Sequence, residues 1–277
     1  MSTVTAVVAV YDQVDPAHLD DALLGLQNQE RLPDDVVVVA DGPLTEQLDV
    51  VIERVSTGLP IRRVDLSVRS GSGPARQAGI EAALTEFVAI VDSDDVSLPA
   101  RLRIQMDAIA ELGCDVLGSA MEEFDSGSGQ RLGLRRMPTG RHVIERKMRQ
   151  LNPINHPTAV FRRRAVLEAG GYHDLPMLED YDLCARMQSV GAKIDNLDDV
   201  LVRFRGGRSA QRRRRSREAF RSEWRMQRNL CAYGLVSPFR MVVNWVLRSA
   251  YRVLPMEVSM LVYKRMFLAP ESPPSES

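Results

Sequence analysis

The sequence is short of the features that would place it in several common classes. Only three cysteines occur, Cys114, Cys184 and Cys231, odd in number and far apart. They form neither a disulfide framework nor a metal-ligand spacing, so buried free thiols in a reducing compartment are expected. No stretch of about 18 uncharged apolar residues occurs, which predicts no spanning helix. The opening MSTVTAVVAVYDQ lacks a basic leader and reads as a first strand, not a signal peptide. Aromatic residues make up 5% of the chain. Around the main basic segment only Phe204, Phe220 and Trp224 interleave, too few for a platform that stacks nucleic-acid bases.

What is present is ordinary globular composition, 44% hydrophobic and 26% charged, enough for a sizeable core. The 277 residues suit one large domain or one domain with a helical appendage. The formal net charge of −1 hides an asymmetry. Residues 1–202 carry 20 basic against 32 acidic side chains, whereas residues 203–228 carry 11 arginines against Glu218 and Glu223. An acidic body and a basic segment face different partners, and the segment is suited to anions.

Apolar β-branched runs at 4–10, 36–40 and 87–91 read as strands covered on both faces. Helical periodicity follows at 18–29, 48–55, 75–84 and 98–112, with a weaker strand at 61–66. Alternation of this kind predicts βαβ units and a mostly parallel sheet. Ligands of such sheets sit beyond the carboxyl ends of the strands. Three strand ends, at Tyr11-Asp12, Asp41-Gly42 and Asp92–Asp95, are therefore expected to converge on one crevice. From about residue 113 the rhythm changes: a strand at 116–121, a turn at 125–130, a return strand at 131–137, a helix at 143–151, a short strand at 159–162, a short helix at 165–169, and an amphipathic helix at 178–190 ended by Gly191. A pair of amphipathic helices is expected within 238–268, broken at Pro255. It suits a membrane interface or packing on the rest of the chain. Residues 269–277 read as a tail.

Asp92-Ser93-Asp94-Asp95 follows directly on the strand at 87–91. Clustered carboxylates at a sheet end are costly, and a hard divalent cation would offset the cost using one or two of them. A solvated turn that caps the next helix is the plain alternative. Glu179-Asp180 opens a helix and is either a cap or a general base. The loop at 69–73 with Arg76 is a turn or an anion contact. Asn155-His156-Pro157 lacks a Ser or Cys partner in a recognisable context, which points to a structural or acceptor-side histidine. Arg212, Arg213, Arg214 and Arg215 form a solvated face or contact phosphate, lipid or nucleic acid.

Four of these segments, taken in order, resemble bacterial family 2 glycosyltransferases of the capsule and exopolysaccharide branch. They are the opening strand with Tyr11, the run from Val36 to Asp41-Gly42-Pro43-Leu44-Thr45, the run Asp92-Ser93-Asp94-Asp95 through Pro99 to Arg101-Leu102, and His156-Pro157-Thr158 with Gly170-Gly171-Tyr172 and Glu179-Asp180-Tyr181-Asp182-Leu183. The likeness covers residues 4–205, with weaker echoes to about 265. It implies a GT-A (nucleotide-diphospho-sugar transferase) fold: an α/β, Rossmann-like, mostly parallel sheet flanked by helices, with a C-terminal helical extension. The implied domains are 1–205 catalytic (1–112 binding the nucleotide sugar, 113–205 on the acceptor side), 206–268 basic and amphipathic, and 269–277 tail.

The implied function is metal-dependent inverting transfer from a nucleotide sugar, a UDP-sugar being favoured by family frequency, to a glycan or lipid-linked acceptor. The work would be done in the cytoplasm or at the inner face of the plasma membrane, by a monomer or a homodimer that binds no nucleic acid. The resemblance assigns Asp41 and Tyr11 to the base, and Arg76, Asp92, Ser93, His156, Arg212 and Arg213 to the nucleotide sugar. It assigns Asp94, Asp92 and Asp95 to Mn²⁺ or Mg²⁺, and Asp180 to the general base with Glu179 orienting it. Arg69-Ser70-Gly71 and Ala75-Arg76-Gln77 stand where the family usually has Asn-x-Gly and Ala-Arg-Asn. Two rivals remain: a catalytically silent sugar-nucleotide- or membrane-binding subunit, and a nucleotidyltransferase, which would need a glycine-rich basic loop where Tyr11–Pro16 stands.

Overall fold

The computed structural model describes residues 2–206, 217–254 and 256–269. Its first half alternates strand and helix: β1 (Val4–Val10), α1 (Pro16–Gln27), β2 (Asp35–Asp41), α2 (Glu46–Ser56), β3 (Ile61–Leu66), α3 (Ser72–Ala82), β4 (Phe87–Asp92). These strands lie side by side in the order β4-β1-β2-β3, all parallel. Successive side chains of a strand point to opposite faces. Ala6, Val8, Val10, Val36 and Val38 accordingly meet Leu19, Leu23 and Leu26 of α1 and Leu48 of α2. Val7, Val37, Val39 and Ile90 pack with Ala75 and Ile80 of α3. Each fully buried Val or Leu is worth about 1.5–3 kcal/mol. Exposed ion pairs such as Arg54–Asp20 add about 0–1 kcal/mol each, so apolar burial sets the sheet.

Helix α3 starts three residues earlier than its periodicity predicts. Gly71, at φ 95°, caps it, and Gly73 and Pro74 lie in its first turn, so the glycine-rich stretch is helix and not loop. The helix then runs very close to β1. A Cβ at Gly79 would overlap the Val7 side chain and stand 3.1 Å from Val39 Cγ2.

The second half holds β5 (Val96–Ser97), α4 (Arg101–Leu112), β6 (Val116–Asp125), β7 (Arg131–Arg135), α5 (Arg141–Met148), β8 (Val160–Arg162), α6 (Arg163–Glu168), α7 (Glu179–Ser189) and β9 (Ile194–Gly206). Here the sheet is mixed: β8 is antiparallel to β4 and β6, β7 is antiparallel to β6, and β9 runs parallel to β6. Two strands of this half have no counterpart in the sequence reading. The 13-residue β9 carries Asp195, Asp198 and Asp199, which break its apolar alternation. The two-residue β5 pairs antiparallel with β9 and displaces the expected start of α4 from 98 to 101. After the undescribed stretch come α8 (Arg217–Ala232), α9 (Pro238–Val253), α10 (Met256–Phe267) and β10 (Leu268–Ala269), which pairs with the outer edge of β7. No described helix is long and apolar enough to cross a membrane.

Candidate active site

Parallel pairing sets the strand ends side by side, with Ala9 opposite Asp92 and Val10 opposite Ala40. Tyr11, Asp41 and Asp92 thus share the carboxyl edge of the sheet. Asp41 is 6% exposed, and its two oxygens accept from the Ser70 and Gly71 backbone N–H groups at 2.6 and 2.9 Å. It therefore fixes the loop that leads into α3, and a carboxylate retains acceptor capacity beyond those two bonds. The Arg69 guanidinium lies over the Tyr11 ring, 4.3 Å from its centroid.

Arg76 is the centre of the site. Its Nη2 lies 2.7 Å from Asp92 and its Nη1 3.1 Å from Glu179. One partly buried guanidinium therefore joins the end of β4 to the start of α7. Burial alone would lower the Arg76 pKa, but Asp92 and Glu179 outweigh it and raise it. Burial would raise Asp92, and Arg76 reverses that, holding the carboxyl below its usual range. Glu179 also accepts from the Ser72 hydroxyl, while its Oε2 is buried without a hydrogen-bond partner.

The acid turn departs from β4. Ser93 is buried and Asp94 is exposed at its tip. Asp95 is 2% exposed; its Oδ1 accepts from the Arg205 backbone N–H at 2.8 Å, and its Oδ2 is buried without a partner. Burial, then the charges of Asp94 and Asp92, push Asp95 well above the carboxylate range. An orphaned oxygen in a cluster that resists ionisation suits a hard divalent cation. Among the described residues no three His, Cys, Asp or Glu side chains enclose a metal by themselves. Arg101 lies beneath the turn, 1% exposed, donating to Ile90 O, Ser97 Oγ and Gln105. Burial pulls its pKa down to about 10.

Asp180 is partly buried next to Glu179, and Asn152 Nδ2 donates to its Oδ2 at 2.8 Å. Burial, then the Glu179 charge, pushes Asp180 up to about 6. Met177, two residues before α7, is non-glycine at φ 69°, a strained conformation beside the site. His156 is buried, with Nε2 2.6 Å from the Tyr172 hydroxyl. Burial, then Arg76, pushes it down to about 3, so it is a neutral ring in the floor. Arg212 and Arg213 lie outside the described residues.

The sequence reading missed the residues that hold these groups. Asn152 and Ser72 carry no local signal. Asp182, fully buried, accepts from Arg186, Asn229 and Tyr233, each at 2.8 Å, with His173 at 3.2 Å. It secures α7 to α8. Glu223, also fully buried, pairs with Arg248 at 2.6 Å and Arg252 at 2.7 Å, securing α9 to α8. Of the two destinies open to the C-terminal helices, one face therefore packs on the body of the chain. Phe239, Val242, Val246 and Val253 of α9 stay exposed on the other.

The fold and the acid-edged crevice define a nucleotide-diphospho-sugar transferase architecture. Solved S. aureus TarS 1-349 in complex with UDP-GlcNAc shares it at a TM-score of 0.69 and 19% identity, over 92% of this chain and 77% of that one. The chain belongs to glycosyl transferase family 2, whose pattern matches residues 5–171, and it is accordingly a glycosyltransferase. It is 32% identical to the amylovoran biosynthesis glycosyltransferase AmsE of Erwinia amylovora, over 94% of this chain and 98% of that protein. It is 27% identical to a UDP-Gal:alpha-D-GlcNAc-diphosphoundecaprenol beta-1,3-galactosyltransferase of Escherichia coli, over 95% of each.

Proposed function

We propose that the protein transfers a sugar, with inversion, from a UDP-sugar to a lipid-linked glycan acceptor in cell-surface polysaccharide synthesis. The observation that carries this reading is the Arg76 bridge from Asp92 to Glu179, with Asp180 near neutrality beside it. A base poised about 6 is ionised at neutral pH and is still a competent proton acceptor. In the reaction the acceptor hydroxyl gives its proton to Asp180 as its oxygen bonds to the anomeric carbon. The bond from that carbon to the diphosphate breaks on the opposite face, and the nucleoside diphosphate leaves with the electron pair. Arg76 keeps Asp92 ionised at the donor end and pairs with Glu179 at the acceptor end. Asp41 and Tyr11 line the base end. Mn²⁺ or Mg²⁺, held by Asp94 with Asp95 or Asp92, would neutralise the charge that develops on the leaving diphosphate.

Residues 1–205 form the catalytic domain in this reading, and 206–268 an extension that meets the inner face of the plasma membrane peripherally. The exposed apolar face of α9 supports that placement. The proposed acceptor chemistry, a sugar on a lipid diphosphate, is that of the E. coli relative.

A thermal-shift panel of UDP, GDP, dTDP and CMP, each with and without Mn²⁺, tests the donor site, because a ligand of the folded state raises its stability by mass action. The expected result is a metal-dependent shift for UDP that vanishes in Asp94→Ala. No metal-dependent shift with any nucleotide would sink the reading. Asp180→Asn that still binds donor but has lost turnover would exclude a silent binding subunit.

A further inference from the structure

A cavity of about 520 Å³ opens where the end of α5, the segment after it and the start of α9 meet, away from the acid turn. Cavities of about 300–1,000 Å³ are typical of small-molecule sites. Arg146, Arg149 and Arg240 line it, with Leu235, Val236 and Phe239, and no carboxylate is among its lining residues. Arg146, in the last turn of α5, and Arg149, its C-cap, are cations of the kind a helix C-terminus favours. Arg240 comes from the first turn of α9, where the dipole disfavours a cation, and that account does not cover it. The N-terminus of the 16-residue α9, capped by Ser237, also borders the cavity and adds the positive end of its dipole.

The walls are fixed. Buried Asn244 donates to Arg149 O at 2.8 Å and Arg248 donates to Gln150 O at 2.9 Å, so α9 is fastened to the segment that leaves α5. That same segment leads to the base. Asn152 is three residues from Arg149, at most about 11 Å along the chain, and it donates to Asp180 at 2.8 Å. Phe239 of the lining also heads an apolar stripe on α9, since Phe239, Val242, Val246 and Val253 recur at helical spacing and are all exposed. Cationic walls joined by a short segment to the base's hydrogen-bond partner, with an apolar stripe starting at their edge, match one ligand chemistry, a diphosphate with a sugar at one end and a hydrocarbon chain at the other.

We propose that this cavity binds the diphosphate of a lipid-linked acceptor, with its chain along the exposed face of α9. The proposal rests on the acceptor-side reading given above and adds the subsite and its residues. The acceptor sugar then lies between the arginines and Asp180, and the arginines set acceptor KM without entering the donor site.

The test is titration calorimetry on the full chain with farnesyl diphosphate, farnesol and inorganic diphosphate, with and without saturating UDP and Mn²⁺. Farnesyl diphosphate is expected to bind with UDP already bound, and to bind more tightly than either fragment. Loss of each arginine contact should weaken it about tenfold, so Arg149→Gln/Arg240→Gln together should weaken it about a hundredfold. The single Arg146→Gln variant gives the same reading if the double variant fails to fold. Displacement of farnesyl diphosphate by UDP, or indifference to these variants, would overturn the proposal. Equal binding of inorganic diphosphate would make this a free-phosphate site and overturn it as well. If the variants lose phosphatidylglycerol vesicles yet keep farnesyl diphosphate, the arginines serve bilayer headgroups and the proposal falls. A missing UDP response with intact farnesyl diphosphate binding would instead fault the donor-site reading alone.

Discussion

Replacing Asn152 with alanine probes how Asp180 is held. Asp180 sits at about 6, against 3.8 for an ordinary aspartate, because burial and Glu179 disfavour its charge, while Asn152 donates to it and favours the charge. A base of this pKa gives kcat/KM a single acid limb, with the rate at pH 5 about one-tenth of the plateau. A hydrogen bond to a charged acceptor is worth about 1.5–3 kcal/mol, and one pKa unit is about 1.4 kcal/mol. Asn152→Ala should therefore move the limb to higher pH by about one to two units with the plateau kept. Stability follows the opposite sense. A carboxyl raised in the folded state stabilises most below pH 3.8, and that contribution is lost as pH rises through about 6. The loss totals about 3 kcal/mol at most. Asp180→Asn lacks it, so the variant should exceed the parent in stability at pH 8 and lose that advantage at pH 4. Rates across pH 4.5–9 and urea midpoints at the two pH values measure both effects. An acid limb that stays put or moves down in Asn152→Ala would refute the reasoning, as would equal stability differences at pH 4 and pH 8.

Two further outcomes follow from packing. Arg76→Leu leaves Asp92 and Glu179 without their shared cation, and the fold should lose about 3–5 kcal/mol in urea unfolding; a loss below about 1 kcal/mol would mean that the bridge is solvent-screened. Gly79→Ala should gain helix propensity and still destabilise by about 1–3 kcal/mol through overlap with Val7, and a neutral result would place α3 farther from β1 than described.

The nucleotide half was readable because its strands are covered on both faces. Val36, Val37, Val38 and Val39 are all buried, so apolar residues run on without a break and the polar ends stand out. Those ends, Tyr11, Asp41 and Asp92, do gather at one edge. The acceptor half was less legible for a stated reason: β9 is held by pairing with β6 and β5, and its acids face outward or bond to backbone, so no alternation survives in the sequence. The identity of the acids at the site was legible, but their partners were not. Nothing in Asn152-Pro153 announces a hydrogen bond across 28 positions to Asp180. Nor does Arg101, legible only as part of the run after the acid turn, announce that it is buried and donates to Ile90 O. Long-range polar satisfaction is set by tertiary packing and leaves no periodic mark.

The pairing of β10 with β7 has a bearing on solubility. A sheet ends in two rows of unpaired amide and carbonyl groups, each a template for another chain. On the β3 side the row is guarded by charge, since Arg62, Arg63 and Asp65 make that strand a poor match for an apolar neighbour. On the β7 side the guard is the chain itself, because Leu268 and Ala269 occupy positions opposite Arg135 and Leu134. Shortening the protein ahead of Leu268 would bare that margin while leaving every group at the acid turn in place, so the damage would surface first as self-association.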